Sequence, residues 1–274
     1  MKIAVCFKTM ADYGRLSEKD WRWNKRHYVD VSFVRRIFNC FEESALEMAL
    51  KLSSPLDNQS GKAELTALTV DDRPEDLFLK HLTAVGYDLA VRILCDKEID
   101  LRFNPLAVSH LIAAYIKQKG QHVVFFGMQG GEGDNRQTGL LVAERLGWTC
   151  IREVTEVVRD GSPEWLRVTS RTDRATLVQT VKLPMVLIIG QSLNSPYLRV
   201  PTLKQKLNAA KKQVTVLSNS ELGLASDTLM NNDKTLINFS RPQANQACIF
   251  VEGKNAQEQV QSLYDKYLKE RLIR

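Results

Sequence analysis

The sequence predicts an α/β protein whose sheet is doubly wound and mostly parallel, with an extension arm and a helix at the C-terminus. Short apolar runs alternate with amphipathic helical segments at the spacing of βαβ units. The run Val123–Phe126 is wholly apolar, which suits a strand buried on both faces of a parallel sheet. A glycine-rich segment and a further helix follow it at once, as they do where open α/β sheets bind ligands.

The first half of the chain supplies the βαβ units. Asn39 can cap a helix, because its side-chain oxygen can accept from the first free backbone N–H groups. The segment 11–38 is polar and aromatic, and we expect an excursion or hairpin over the sheet edge. The patterns predict strands at 2–7, 63–70, 90–94 and 123–126, and helices at 41–52, 74–85, 104–119 and 139–146.

The second half changes in character. Strands are predicted at 149–158 and 166–169, joined by the turn signal Asp160-Gly161-Ser162-Pro163, and at 176–182 and 185–189. This pattern indicates a hairpin that returns to the sheet. Residues 218–247 are polar and read as an extended arm, followed by a short strand at 249–253 and an amphipathic helix at 256–272. We therefore expect an α/β domain over 1–217 and an association segment over 218–274.

Composition excludes several classes of protein. The 274 residues carry a net charge of +6, but the basic residues are dispersed and show no nucleic-acid-binding motif. No apolar run reaches the ~18 residues of a membrane span, so an integral membrane protein is not expected. Five scattered cysteines without a CxxC pair favour a reducing cytoplasm and no metal site. No triad or carboxylate pair is evident, so the chain is not expected to be a catalyst by itself.

The glycine-rich segment predicts an anion site. A strand, a glycine-rich loop and a helix N-terminus together direct free N–H groups and a positive dipole at a phosphate. The segment is neither a Walker A sequence nor a GxGxxG fingerprint, so from spacing alone a connection without a ligand also stays open.

Several segments resemble the β subunit of electron-transfer flavoproteins. Gly127-Met128-Gln129, the acidic glycine-rich turn, Gln137-Thr138-Gly139 and Leu146-Gly147-Trp148 are similar to the nucleotide loop of that family, GKQAIDDDxNQTGQ followed by LGWP. Asn39-Cys40-Phe41-Glu42-Glu43 resembles the family's NPFDE segment, with Cys40 in place of the proline. The resemblance covers about residues 1–214 and implies a Rossmann-like, adenine-nucleotide-binding fold.

The resemblance also implies a cofactor-binding set, a heterodimer with an electron-transfer flavoprotein α subunit, and FAD held mainly by that α subunit. Ordinary family members hold AMP in the β-subunit pocket and bifurcating members a second FAD; Gly133-Asp134 favours FAD and Gln137-Thr138-Gly139 favours AMP, so both remain open. The implied cofactor-binding residues are Cys6, Asn39, Cys40, Phe41, Glu42, Val70, Gly127, Met128, Gln129, Gly130, Gly131, Glu132, Gly133, Asp134, Asn135, Arg136, Gln137 and Thr138.

A partner-docking loop is implied by the similarity of residues 193–212 to the family's LNEPRYxSLPxIMxAKKK. We expect an exposed apolar group, Leu198, Val200 and Leu203, ringed by lysines that include Lys211 and Lys212. The expected redox partner is a dehydrogenase or a quinone reductase. The lysines could also be a plain solvated face, and the C-terminal helix, which in the family wraps the α subunit, could pack on its own domain instead.

The sequence departs from the family pattern at one position, and a second class of protein is an alternative to the electron-transfer flavoprotein subunit. Arg171 stands where the family has a glutamate, which puts that glutamate's role near a flavin in doubt and could favour an anionic flavin or phosphate. The rival is a stand-alone adenine-nucleotide sensor of universal-stress-like architecture, which would form a monomer or homodimer without flavin. A nucleotide-dependent hydrolase or ligase is more distant, because no nucleophile or base is placed.

Overall fold

The computed structural model describes residues 1–22, 29–54, 61–72, 76–95, 101, 103–133, 136–192, 194–230 and 248–272. The chain divides into two compact units, Met1–Thr235 and Leu236–Arg274. We describe each by itself.

The first unit is built on a large sheet, which has nine strands within the described residues. Seven neighbouring strands are mutually parallel, and two further strands follow at one edge, each antiparallel to the strand before it. The strands of this sheet are β1 (Lys2–Cys6), β4 (Glu64–Val70), β5 (Leu89–Leu94), β6 (Val123–Gly127), β7 (Thr149–Asp160), β8 (Ser162–Arg171), β9 (Thr176–Lys182), β10 (Met185–Ile189) and β11 (Thr215–Ser218). Their order is β11-β5-β4-β1-β6-β10-β7-β8-β9, which confirms the predicted mostly parallel sheet.

Helices cover both faces of the sheet, as double winding requires. The helices of this unit are α1 (Cys40–Ser53), α2 (Leu77–Val85), α3 (Pro105–Lys119), α4 (Thr138–Leu146), α5 (Leu203–Ala210) and α6 (Ser226–Met230). Alternate residues of β1 serve different faces: Ile3 and Val5 join the cluster that holds α1 and α2, and Ala4 and Cys6 join the cluster that holds α3 and α4. This alternation gives two apolar layers, one on each side of the sheet.

The sheet has a topological switch point beside β1. The chain runs from β1 to β4 and β5 on one side and then returns to β6, which pairs with β1 on its other side. Loops that leave β1 and β6 therefore diverge at their carboxyl ends, and such a crevice is where open α/β sheets bind ligands. The predicted glycine-rich segment follows β6 and lies at this point.

The excursion between β1 and α1 is a small antiparallel pair. Strands β2 (Met10–Ala11) and β3 (Arg36–Ile37) pair with each other, and two short 3-10 turns lie between them, Tyr13–Arg15 and Glu18–Asp20. The expected hairpin is thus present in outline, with residues 23–28 outside the described residues.

Helix α1 is fastened at its C-terminal end by an arginine from β7. Arg159 donates from Nε to the Leu52 carbonyl (3.1 Å), from Nη2 to the Ser53 carbonyl (3.3 Å) and from Nη1 to the Gly61 carbonyl (3.0 Å). The last carbonyls of a helix have no intrahelical partner, so a cation at this end also complements the helix dipole.

Two elements were not anticipated from the sequence. Residues 203–210 form α5, which begins at a Thr202–Gln205 capping box, and residues 215–218 form the edge strand β11 beside β5. The capping box was visible in the sequence as Thr-x-x-Gln, but the surrounding lysines masked the helical period.

The interpretation of residues 218–230 as an extended arm is wrong. Leu229 in α6 is fully buried (0% exposed) and belongs to the apolar layer of α3 and α4, and Asn104 donates from Nδ2 to the Leu229 carbonyl at 3.2 Å. A single leucine with few apolar neighbours in sequence gave no periodic signal. Residues 231–247, the rest of the expected arm, lie outside the described residues.

The second unit contains the predicted C-terminal helix. Helix α7 (Ala256–Leu263) continues through a π-helical turn, Tyr264–Leu268, into α8 (Lys269–Leu272), and Asn255 caps it by accepting from the Glu258 N–H. The strand expected at 249–253 is wrong, because these residues form no strand and Phe250 is exposed.

Leu229 provides a test of where the first unit ends. We expect Leu229→Ala to lower the free energy of unfolding by about 2–5 kcal/mol, because it leaves a cavity in a closed apolar layer. Urea denaturation measures the change. The neighbouring Met230→Ala is the matched control and should stay within about 0.5 kcal/mol, since Met230 is exposed. If both substitutions had equally small effects on the free energy of unfolding, residues 218–230 would have to be regarded as an extended arm after all.

Candidate functional site

Asn39 joins helix α1 to the glycine-rich loop. Its side-chain Oδ1 accepts from the N–H groups of Phe41 and Glu42, each at 2.9 Å, and its Nδ2 donates to the Gln129 carbonyl at 2.8 Å. The residue is therefore a helix cap, as the sequence predicts, and also a bridge across the crevice. One amide side chain makes both contacts because it offers an acceptor and a donor on opposite atoms.

Close packing explains why two positions at the start of the loop that follows β6 are occupied by glycine. A methyl group on Gly131 would clash with Met10 Sδ, and one on Gly127 would lie 2.9 Å from Glu42 Oε2. The loop also turns through the left-handed region at Gly133 (φ 77°) and at Arg136 (φ 51°). The loop is thus held against the excursion and α1 by contacts that a side chain at either glycine would prevent.

Glu132 anchors the loop to the excursion. Its carboxylate accepts from the Ala11 N–H (3.0 Å), the Tyr13 hydroxyl (3.2 Å) and the Arg36 guanidinium (3.3 Å), and Lys8 Nζ donates to its carbonyl (3.0 Å). Burial alone would raise the pKa of Glu132, but the Ala11 N–H, Arg36 and Lys8 outweigh it and hold the pKa below its usual range. This carboxylate, implied above as a cofactor contact, is engaged by protein donors.

The backbone beyond this anchor offers donors for an anion. Among the described residues, the N–H groups of Gly130, Gly131 and Gly133 have no acceptor. Helix α4 begins next to them, and its N-cap Gln137 makes no side-chain capping bond. The first N–H groups of this helix therefore lack intrahelical acceptors, and the half-buried Thr138 adds a hydroxyl. These groups fit a phosphate.

The remaining implied residues lie around the same crevice or brace it. Cys6 ends β1, and burial raises the pKa of its thiol well above the usual value, which leaves it uncharged. Val70 ends the neighbouring β4 and is half-buried. Arg136 donates from Nη2 to Gln129 Oε1 at 2.6 Å, so its guanidinium braces the loop. Asp134 and Asn135 lie outside the described residues.

The expected docking loop is anchored differently from the prediction. Leu198 was expected to be exposed, and this is wrong: it is 9% exposed and packs in the apolar layer of α1 and α2. Tyr197 (75% exposed) and Val200 (82% exposed) project instead. On α5, Leu203 and Leu207 are exposed one turn apart, and Lys204, Lys206, Lys211 and Lys212 are exposed beside them.

An ion pair that the sequence analysis did not identify sets this loop. Arg199 donates to the Glu47 carboxylate from Nη2 (2.7 Å) and Nε (3.0 Å), and its backbone N–H does so at 3.1 Å. Lys51, one turn further along α1, donates from Nζ to the Asn194 carbonyl at 2.5 Å. The sequence did contain a signal for these contacts: Glu47 and Lys51 are four residues apart, so their charged side chains share one face of the helix.

Within the described residues there is no group of three or more His, Cys, Asp or Glu side chains that could hold a metal ion. The same part of the chain contains no helix long and apolar enough to cross a membrane.

The fold and this crevice define a doubly wound α/β protein whose glycine-rich loop presents N–H groups without acceptors at the switch point. Residues 31–222, more than half of the chain, match the electron transfer flavoprotein domain. The chain therefore belongs to the electron transfer flavoprotein domain family, and the resemblance to its β subunits is confirmed.

Named relatives agree over nearly the whole length. The chain is 28% identical to the putative electron transfer flavoprotein subunit YgcR of Escherichia coli K12, over 99% of both proteins. It is 28% identical to a mitochondrial electron transfer flavoprotein subunit beta of Oryza sativa subsp. japonica, over 92% of this chain and 94% of the relative. It is 25% identical to the subunit beta of Bradyrhizobium diazoefficiens, over 82% and 84%.

Glu132 provides a test of how the loop is held. We expect Glu132→Gln to lower the free energy of unfolding by about 1–3 kcal/mol at pH 7, because charge-assisted bonds to Arg36 and Ala11 are lost. Since the folded-state pKa of Glu132 is depressed, its contribution is present above the unfolded-state value and is lost as pH falls through the folded-state value.

Urea denaturation at pH 7 and under acid conditions measures this effect, and hydrogen exchange of residues 127–133 locates it. Glu164→Gln is the control, because its pair with Lys182 is well exposed and contributes little. A Glu132 variant with unchanged stability and unchanged loop exchange at pH 7 would contradict the anchor role.

Proposed function

We propose that this chain is the β subunit of a heterodimeric electron-transfer flavoprotein that passes electrons between a dehydrogenase and an acceptor. The observation that carries the proposal is the meeting of Asn39, the glycine-rich loop and the uncapped start of α4 at the switch point, in a chain of this family. FAD, held mainly by an α subunit, supplies the redox chemistry when bound. The chain itself would bind a nucleotide, fix the orientation of that nucleotide and present the docking loop to the redox partner.

A nucleotide in the crevice is supported by the donors present there. The N–H groups of Gly130, Gly131 and Gly133 and the first turn of α4 would take a phosphate, and Cys6 and Val70 would line the adenine. The Cys6 thiol is uncharged and buried, which suits an apolar base. Both AMP and a second FAD carry an adenine and a phosphate, so either fits these groups.

Partner docking is supported by the exposed apolar group Tyr197, Val200 and Leu203 and by the lysines of and after α5. An apolar contact gives affinity, and a positive rim raises the encounter rate with an acidic partner. The Glu47–Arg199 ion pair fixes the loop from beneath, so less conformational entropy is lost when a dehydrogenase or quinone reductase docks.

Subunit association is supported by the C-terminal helix. Val260, Leu263, Tyr264, Tyr267 and Leu268 recur at helical spacing and are exposed within their unit, while Asp265, Lys266 and Lys269 lie between them. Such a stripe needs an apolar surface to cover it, and we assign it to the α subunit.

Two earlier expectations remain predictions. The five cysteines are unpaired, in keeping with a reducing compartment, and the cytoplasm stays the expected location. Arg171 is exposed at the end of β8, where a positive charge would favour an anionic flavin or phosphate brought by a partner.

The decisive experiment is to purify the chain with the α subunit of its own organism, denature the complex and identify the released nucleotides. We expect FAD together with AMP, or two FAD, in a stable pair. One FAD and one AMP would indicate a simple electron shuttle, and two FAD would indicate bifurcation. The stand-alone sensor predicts no stable pair and no flavin, and that result would overturn the proposal.

The helix stripe gives an independent prediction for assembly. Val260→Asp should abolish co-purification with the α subunit, because a charge is placed in a desolvated apolar contact. Ser262→Asp is the matched control, since it introduces the same charge on the opposite side of the helix. Size-exclusion chromatography of the mixed subunits measures the outcome. Equal assembly of both variants would remove the helix from the interface.

A further inference from the structure

Glu42 is buried at the base of the glycine-rich loop with one oxygen unused. The side chain belongs to the first turn of α1, the residue is 5% exposed, and its Oε2 has no hydrogen-bond partner within the described residues. A methyl group on Gly127 would lie 2.9 Å from this oxygen. The carboxyl therefore packs directly against the residue at which β6 ends and the loop begins.

The groups that face Glu42 do not supply a strong countercharge. From β1 and the loop after it come the uncharged Cys6 thiol, the Lys8 backbone N–H and, as a weaker influence, the Lys8 ammonium; from β6 comes the N–H of Gly127, which has no charge. Burial raises the pKa of Glu42 to about 8 although these groups lower it in part. At neutral pH the carboxyl is therefore mostly protonated.

An ionised carboxylate in this place would have two effects. It would bring a poorly solvated negative charge against Gly127, the residue at which the loop begins, and it would repel an anion held by that loop. The protonated carboxyl has neither effect, although the N–H groups of Lys8 and Gly127 favour the ionised form in part. Protonation of Glu42 and binding of an anion to the loop therefore favour each other.

We propose that Glu42 is a positioning residue for the nucleotide, which the loop retains while this buried carboxyl is uncharged and releases when the carboxyl ionises. The inference rests on the proposed nucleotide site and adds the residue that makes this site sensitive to pH.

Thermodynamic linkage gives the direction in which the nucleotide affinity changes with pH. A bound phosphate raises the pKa of Glu42 further, so the bound state holds a proton that the free state loses at about pH 8. The affinity is constant below that value and falls as pH rises above it. With a free-state pKa of about 8, the dissociation constant should be about tenfold larger at pH 9 than at pH 7.

The experiment is titration calorimetry of the full chain, freed of nucleotide, with AMP and separately with FAD between pH 7 and 9. The AMP phosphate stays a dianion over most of this range because its second pKa is about 6. The wild-type protein should show the tenfold weakening. Glu42→Gln, uncharged at every pH, should show a dissociation constant that stays within about twofold between pH 7 and pH 9.

Glu43→Gln is the matched control, because it makes the same change on the same turn at a half-buried residue, whereas the atoms nearest to a methyl group on Gly127 all belong to Glu42; it should keep the wild-type pH profile. Constant wild-type affinity from pH 7 to 9 would overturn the inference, and this measurement needs no variant. A Glu42→Gln protein that still weakens tenfold would also overturn it. Absence of AMP and FAD binding at every pH would overturn the proposed nucleotide site as well.

Discussion

The two hydrogen-bonding roles of the Asn39 side chain are the constraint on which the rest of the site depends. Its oxygen starts α1 by capping two N–H groups, and its nitrogen holds the Gln129 carbonyl of the glycine-rich loop. Helix start and loop position are therefore set by one planar group. The close contacts of Gly127 with Glu42 and of Gly131 with Met10 lie on either side of Gln129 in this loop.

The parts of the fold that were predictable are those with a local signal. The central strands read as buried apolar runs, and α1, α3 and α4 as amphipathic periods, so the doubly wound sheet followed from sequence, whereas its switch point depends on the strand order and required the structure. The signal failed where packing is decided at long range. Leu198 looks like an exposed loop leucine until the Glu47–Arg199 ion pair turns it inward, and Leu229 is buried by a helix far away in sequence.

The candidate site likewise contains some residues whose role the sequence could predict and others whose role it could not. Asn39 and the loop glycines were identified by resemblance, and local geometry explains them. The task of Glu132 could not be read from sequence, because an acidic residue in a glycine-rich turn suits a ligand contact as well as an internal anchor. Only the approach of Ala11, Tyr13 and Arg36, which lie about a hundred or more residues away along the chain, distinguishes these roles.

Helix α1 is held at both ends and in its middle: by Asn39 at the glycine-rich loop, by Arg199 at Glu47 and by Arg159 at its last carbonyls. A helix of 14 residues is about 21 Å long and stiff over that length. It therefore joins the glycine-rich loop and the segment around Arg199 through one stiff element, so a single helix sets the positions of both.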